Sequence, residues 1–140
     1  IFGSYMVEQG RGVIINIGSD LSFIAPNQNI YANNKLGEYE QPVKPFSYSV
    51  IKHSILGLSK YFSTRFAPSG VRVNLLAPGG VWNNKLTDEF VNELTGLIPL
   101  GRMAELDDYK GSIQFLCSDA SSYMTGANLL VDGGRTTGSI

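Results

Sequence analysis

Two short β-branched runs separated by a long amphipathic segment constrain the fold of this chain most. Residues 13–17 and 71–76 are mostly apolar on both faces, as strands of a buried parallel sheet are. Between them, residues 46–67 carry large apolar side chains at helical steps of three and four. These are Tyr48, Ile51, Ile55, Leu58, Phe62 and Phe66. Strands that alternate with helices predict an α/β fold with a parallel sheet.

The remaining segments complete the same alternation. Helices are predicted over residues 1–9, 86–95 and 105–119, and a last short strand over residues 129–131. Residues 20–45, rich in Asn and Pro, predict a long loop, and such loops in compact domains often have a function. Because sheets average roughly five to six strands, three strands indicate the second half of a larger sheet, with one edge open.

Composition excludes several classes of function. The 140 residues carry 11 basic and 12 acidic side chains, so no basic excess is present to bind a nucleic acid. No apolar run approaches the ~20 residues that span a bilayer, and no membrane contact is expected. One cysteine and one histidine build neither a zinc site nor an internal disulfide, so we expect no metal and a reducing, cytoplasmic compartment.

The clearest candidate for chemistry is a tyrosine and a lysine four residues apart, Tyr48 and Lys52, on the predicted helix 46–67. This spacing stacks both side chains on one helix face. An ammonium group near a phenol favours the phenolate, so that the hydroxyl can exchange a proton at a carbon–oxygen centre. The same spacing also occurs on ordinary solvated helix faces, and it needs support from its surroundings.

A second pair, Tyr31 and Lys35, has the same spacing but lies in the Asn-rich loop. No apolar stripe surrounds it, and no helix is predicted to hold its side chains together. We therefore prefer Tyr48.

An ordered set of short motifs surrounds Tyr48 and runs over nearly the whole chain. In order these are Ile14 to Ser19, Tyr48 and Lys52, Val71 to Gly79, Pro99 to Arg102, Phe115 to Asp119, Tyr123 to Gly126, and Val131 to Gly134. This ordered set resembles the motifs of the short-chain dehydrogenase/reductase family, whose members are single-domain Rossmann-fold oxidoreductases. The resemblance implies a doubly wound parallel sheet and hydride transfer between NAD or NADP and a small-molecule carbonyl or alcohol.

The resemblance also implies roles for individual residues. Tyr48 is the expected acid/base, Lys52 stabilises its phenolate and binds the nicotinamide ribose, and Ser19 binds the substrate oxygen. The expected cofactor contacts in the turn after the second strand are Pro78, Gly79, Val81 and Asn83, where Asn83 replaces the family's usual threonine. The first serine of the family's strand-end pair is Gly18 here.

Two departures from the family pattern lead to further expectations. Ser19 and Tyr48 are 29 residues apart instead of about a dozen, so residues 20–45 look like an insertion beside the substrate site. This loop, with Gly37 to Glu40, resembles members linked to bacterial surface-glycan and flagellin modification, which implies a sugar-derived substrate. The family's Gly-rich phosphate turn is absent, although its backbone N–H groups normally hold the pyrophosphate.

We therefore expect residues 1–140 to be the C-terminal part of one Rossmann-fold oxidoreductase domain whose dinucleotide-binding half is absent. The alternative is a non-catalytic, truncated module that binds a partner. A homo-oligomer is predicted through helix 46–67, because that helix has more large apolar groups than one buried face needs.

Three other side chains are given structural interpretations. Cys117 is interpreted as a small core residue and His53 as a surface or subunit contact, whereas Trp82 either covers a substrate pocket or anchors a lid.

Overall fold

The computed structural model describes residues 2–33 and 35–138. The parts of the predicted first helix and of the Asn-rich loop that fall on residues 1 and 34 lie outside the described residues, as do residues 139 and 140. Within those residues the chain forms four α-helices and three β-strands. They are α1 (Phe2–Gln9), β1 (Gly12–Ile17), α2 (Phe46–Phe66), β2 (Val71–Pro78), α3 (Asp88–Gly96), α4 (Lys110–Cys117) and β3 (Asn128–Val131).

The three strands form one parallel sheet in the order β1-β2-β3, which confirms the predicted α/β fold. Gly12 pairs with Val71 at the start of β1, and Pro78 pairs with Val131 at the end of β3. The central strand β2 is buried along most of its length, as its apolar sequence predicts. Since parallel strands end at the same edge, this register brings the segments after β1, β2 and β3 together.

Helix α2 packs on the sheet through small polar side chains. Ser59 and Ser63 are buried, and Asn16 Nδ2 donates to Ser59 Oγ at 2.9 Å. The apolar residues Ile51 and Leu58 remain 58% and 47% exposed. The apolar residues that recur at helical steps thus include exposed ones, and the side of α2 that packs on the sheet carries the two serines.

The predicted helix 105–119 consists of three pieces, with 3-10 helices at Leu106–Tyr109 and Asp119–Ser121 on either side of α4. Leu116 is fully buried on this helix, whereas Cys117 is exposed. The prediction that Cys117 is a core residue is therefore wrong. Only one side of so short a helix reaches the sheet, and Leu116 takes that place.

The long loop over residues 20–45 contains three 3-10 helices, at Asp20–Ser22, Gln28–Tyr31 and Glu38–Glu40, and its described residues form neither an α-helix nor a strand. It is anchored by Ile30, which is buried in one apolar cluster with Leu94, Ile98 and Met103. The loop thus packs against α3 and the segment after it.

No helix in the described part of the chain is both long and apolar enough to cross a bilayer.

Candidate active site

The end of β1 and the first turns of α2 bring the predicted serine and tyrosine together. Ser19 lies two residues beyond the end of β1 and is buried, while Tyr48 lies near the start of α2 and is half-buried. The Tyr48 hydroxyl donates to Ser19 Oγ at 3.4 Å, across 29 positions of sequence. A long, weak hydrogen bond of this kind leaves both oxygens able to turn toward a third oxygen between them.

The ammonium group of Lys52 lies beside the end of β1. Its Nζ donates to the carbonyl oxygens of Ile17, at 3.2 Å, and Gly18, at 3.0 Å, and lies 5.7 Å from the centre of the Tyr48 ring. A protonated lysine has three N–H donors. One donor therefore remains for a hydroxyl group, such as that of a ribose.

A cavity of about 220 Å³ adjoins this contact. Ser19, Tyr48, Gly79 and Val81 line it together with Tyr31 and Lys44 from the long loop. The structure thus brings four predicted site residues to one cavity. Lys52 and Pro78 do not line it: Lys52, on α2, donates to the Gly18 carbonyl next to Ser19, and Pro78 ends β2 next to Gly79.

The turn after β2 passes close to the turn after β3. A Cβ atom on Gly79 would lie 2.9 Å from Asp132 Cα, so this close approach requires glycine. Val81 forms an isolated parallel bridge to Ala104, which fixes the chain beyond the turn.

Asn83 is a predicted site residue that the structure does not bring to this cavity. Its Oδ1 accepts a hydrogen bond from the Lys85 N–H at 3.0 Å, and the side chain does not line the cavity. The amide caps its own local turn here. Trp82 is 54% exposed beside it.

Tyr31, which sequence analysis set aside, also lines the cavity. Its ring packs on Phe90 with centroids 5.5 Å apart. Burial raises the pKa of Tyr31; the nearby Arg135 guanidinium opposes this, and Asp20 adds to it. Tyr31 belongs to a 3-10 helix and Lys35 to the turn beyond it, so no helix stacks these two side chains.

Sequence analysis missed three charged groups at this site. Lys44 lines the cavity, with its Nζ 4.0 Å from the centre of the Tyr48 ring. Asp20 and Arg135 form a buried ion pair beside Ser19. Spacing cannot reveal a pair whose members are 115 residues apart.

The described residues contain no group of three His, Cys, Asp or Glu side chains that could hold a metal ion.

Comparisons with known proteins show which family the chain is similar to. A family model described as "Enoyl-(Acyl carrier protein) reductase" matches residues 38–136. The 2-dehydro-3-deoxy-D-gluconate 5-dehydrogenase of Bacillus subtilis is 38% identical over 137 residues, covering 94% of this chain and 48% of that enzyme.

Two solved structures are similar over nearly the whole chain. A short-chain dehydrogenase from Leptospira borgpetersenii with bound NAD+ has a TM-score of 0.84 and 35% identity, covering 96% of this chain and 48% of that one. A gluconate 5-dehydrogenase from Burkholderia cenocepacia in complex with NADP and tartrate has a TM-score of 0.80 and 30% identity, covering 97% and 49%. These similarities confirm that the sheet is part of a Rossmann-type fold. The chain spans about half the length of these relatives.

Proposed function

The chain belongs to the short-chain dehydrogenase/reductase family, and we propose that the whole protein interconverts a carbonyl and an alcohol with NAD or NADP. The observation that carries this proposal is the contact between Tyr48 and Ser19. It joins a proton donor and an oxygen-binding hydroxyl at the carboxyl ends of parallel strands, which is where ligands bind in open α/β sheets.

In the proposed reaction, Tyr48 gives a proton to the substrate oxygen during reduction and takes it back during oxidation. Ser19 lies 3.4 Å from the Tyr48 hydroxyl, so a substrate oxygen that meets both is held between them. General acid–base groups of this kind typically contribute ~10²–10⁴-fold to rate.

The residues beside the cavity suit the nicotinamide half of a dinucleotide, which supplies or accepts the hydride when bound. Lys52 has a donor left for a ribose hydroxyl, and Pro78 and Gly79 form the strand-end turn beside it. Val81 lines the same cavity. Asn83 is a weaker candidate for a cofactor contact, because its amide is already bonded to Lys85.

The substrate is proposed to be a sugar-derived small molecule, as the names of the gluconate-type relatives suggest. Charge in the cavity favours an anionic member of this class. Arg135 is paired with Asp20, whereas Lys44 forms no ion pair within the described residues. We assign Lys44 to the carboxylate of a sugar acid, because an ammonium–carboxylate hydrogen bond is among the stronger polar contacts.

We retain two broader proposals about the whole protein. The long loop supports membership of the surface-glycan and flagellin-modification subgroup, since Ile30, Tyr31 and Lys44 place its side chains along the cavity. The single cysteine, Cys117, supports activity in the cytoplasm, where free thiols stay reduced.

Helix α2 is the proposed contact between subunits. Val50, Ile51, Leu58 and Tyr61 are all exposed on it. An apolar surface of this extent on a helix suits a second copy of the same helix, as in isologous dimers.

The test of the proposed activity is Tyr48→Phe in the whole protein, assayed for NAD(P)-dependent turnover of sugar acids. Loss of the hydroxyl removes the proton donor and keeps the ring, so kcat should fall by about 10²-fold or more while cofactor affinity is retained. Tyr31→Phe is the matched control and should leave kcat near that of the parent. Full activity in Tyr48→Phe together with loss of activity in Tyr31→Phe would show that the acid/base is Tyr31 and not Tyr48.

A further inference from the structure

A buried ion pair lies directly behind the Ser19 hydroxyl. Arg135 Nη1 and Asp20 Oδ2 are 2.6 Å apart, and their side chains are only 7% and 4% exposed. Asp20 follows Ser19 in sequence, whereas Arg135 comes from the turn beyond β3. The pair thus joins two ends of the site that are 115 residues apart.

Stability alone is a poor explanation for such a pair. Moving two charges out of water costs free energy that their attraction only partly restores, and apolar replacements are often as stable. The immediate surroundings of Asp20 indicate a more specific role.

The carboxylate of Asp20 determines where the Ser19 hydroxyl hydrogen points. Ser19 Oγ donates to Asp20 Oδ1 at 2.8 Å and accepts from the Leu21 N–H at 3.2 Å. Because its own hydrogen is directed at the carboxylate, Ser19 Oγ accepts a hydrogen bond from the Tyr48 hydroxyl at 3.4 Å. One oxygen of Asp20 therefore holds Ser19 while the other is held by Arg135.

The turn that carries Arg135 is itself fixed. Gly133 and Gly134 have φ values of +67° and +90°, and a Cβ on Gly133 would lie 2.6 Å from Ile98 Cγ2. Asp132 accepts hydrogen bonds from the Gly134 N–H and from the N–H and hydroxyl of Thr136, at 2.9, 2.8 and 2.6 Å. Burial raises the pKa of Asp132, but these hydrogen bonds outweigh it and lower the pKa overall.

We propose that Asp20 and Arg135 are positioning residues for the proposed carbonyl–alcohol reaction: together they hold the Ser19 hydroxyl hydrogen on Asp20, so that the Ser19 oxygen faces Tyr48 and accepts a hydrogen bond from it or from the substrate hydroxyl. This inference rests on the proposed function. Arg135 holds the Asp20 carboxylate in place, and Asp20 holds Ser19. Both residues also line the cavity, but the positioning role does not require either of them to touch the substrate.

The decisive variants replace the whole pair, because removing one partner leaves a buried charge and endangers folding. Asp20→Leu with Arg135→Met removes both charges and the acceptor for Ser19. Asp20→Asn with Arg135→Met removes the charges but keeps an amide oxygen as acceptor. Arg102→Met with Asp108→Asn is the matched control, since it removes an ion pair from the surface.

In the whole protein, the Leu/Met variant should lose about 100-fold in kcat, the cost typical of a misplaced catalytic group. The Asn/Met variant should recover part of that loss, and the surface control should keep the parent kcat. KM for the cofactor should change little throughout. An unchanged kcat in the Leu/Met variant would overturn the proposal.

Combination with Ser19→Ala separates positioning from a general structural effect. If the pair acts through Ser19, the Leu/Met replacement should cost little further kcat once the hydroxyl is gone. If the Leu/Met replacement lowers kcat by the same factor in the Ser19→Ala protein as in the parent, the proposal is contradicted.

A crystal structure of the Leu/Met variant gives a measurement that does not depend on activity. Ser19 Oγ should leave its position near Tyr48, whereas in the Asn/Met variant it should keep it. An unmoved Ser19 in the Leu/Met variant would overturn the positioning role. If the parent protein has no NAD(P)-dependent activity, the proposed function is overturned. The crystal structures of the two variants then still show whether the ion pair positions Ser19.

Discussion

The charges at the site come from residues that are far apart in sequence. Asp20 begins the long loop, Lys44 lies near the end of that loop, and Arg135 lies in the turn after β3. Because strands end side by side in a parallel sheet, residues remote in sequence meet there. The pairing of Asp20 with Arg135 was not predictable from spacing, whereas Tyr48 and Lys52 share one helix and could be found from it.

At Lys44, we predict a loss of selectivity for acids. Lys44→Met in the whole protein should raise KM for a sugar acid by about 10-fold or more, because a hydrogen bond to a charged group is lost. KM for the matched uncharged sugar should stay within about twofold. Lys44→Arg keeps the positive charge and serves as the control. Equal changes in KM for the charged and uncharged substrates would contradict the assignment of Lys44 to a carboxylate.

At Asp108, we predict a pH-dependent contribution to stability. Hydrogen bonds from the Arg102 side chain and the Glu105 N–H lower its pKa to about 2. A carboxyl whose pKa is lower in the folded state stabilises the fold above its unfolded pKa, and this contribution disappears as pH falls through the folded pKa. The melting temperature of Asp108→Asn should therefore lie below that of the parent near neutral pH, by up to about 3 °C.

That difference should shrink between about pH 4 and pH 2. Carbon-13 NMR titration of the Asp108 carboxyl group measures the shift directly. For the melting temperatures, Asp107→Asn is a suitable control, because Asp107 pairs with Lys110 and not with Arg102. Titration of Asp108 at an ordinary aspartate pKa would show that the Arg102 contact does not persist in solution.

Among the elements, α2 illustrates what a hydrophobic pattern can and cannot predict. Its span of Phe46–Phe66 agrees with the predicted 46–67 within a residue. Its buried face was only partly predictable, because Ser59 and Ser63 pack against the sheet while Ile51 and Leu58 face outward. Apolar spacing shows that a helix forms, but two apolar faces cannot be ranked without knowing what covers each one.

The outward face of α2 leads to a prediction about assembly. Leu58→Glu in the whole protein should weaken subunit association by at least about 10-fold, since a charge would enter an apolar contact. Lys60→Glu is the control, because at about 100° per residue it lies some 160° away around the helix. Light scattering across a concentration series gives the measurement. A parent protein that is monomeric at micromolar concentration would contradict the proposed interface.

For the molecule as a whole, the proposed function leaves part of the dinucleotide without contacts from residues 1–140. In that proposal Lys52 and the turn at Gly79 would meet the nicotinamide end, and the sequence has no Gly-x-x-x-Gly-x-Gly turn for the pyrophosphate. Small ligand portions gain at most ~0.3–1.5 kcal/mol per heavy atom, part of which is lost on ordering the site. Apolar side chains such as Ile17, at the end of β1, are exposed in this chain.

We therefore predict that the isolated 140-residue chain binds NAD or NADP no better than roughly millimolar. Calorimetric titration of this chain with each dinucleotide tests the prediction, and the whole protein under the same conditions is the control. The chain should also unfold at lower urea concentration than the whole protein, because its open sheet edge leaves backbone groups unpaired. Micromolar affinity of the isolated chain would contradict the expectation that the pyrophosphate site lies outside residues 1–140, since these residues would then have to hold the phosphates themselves.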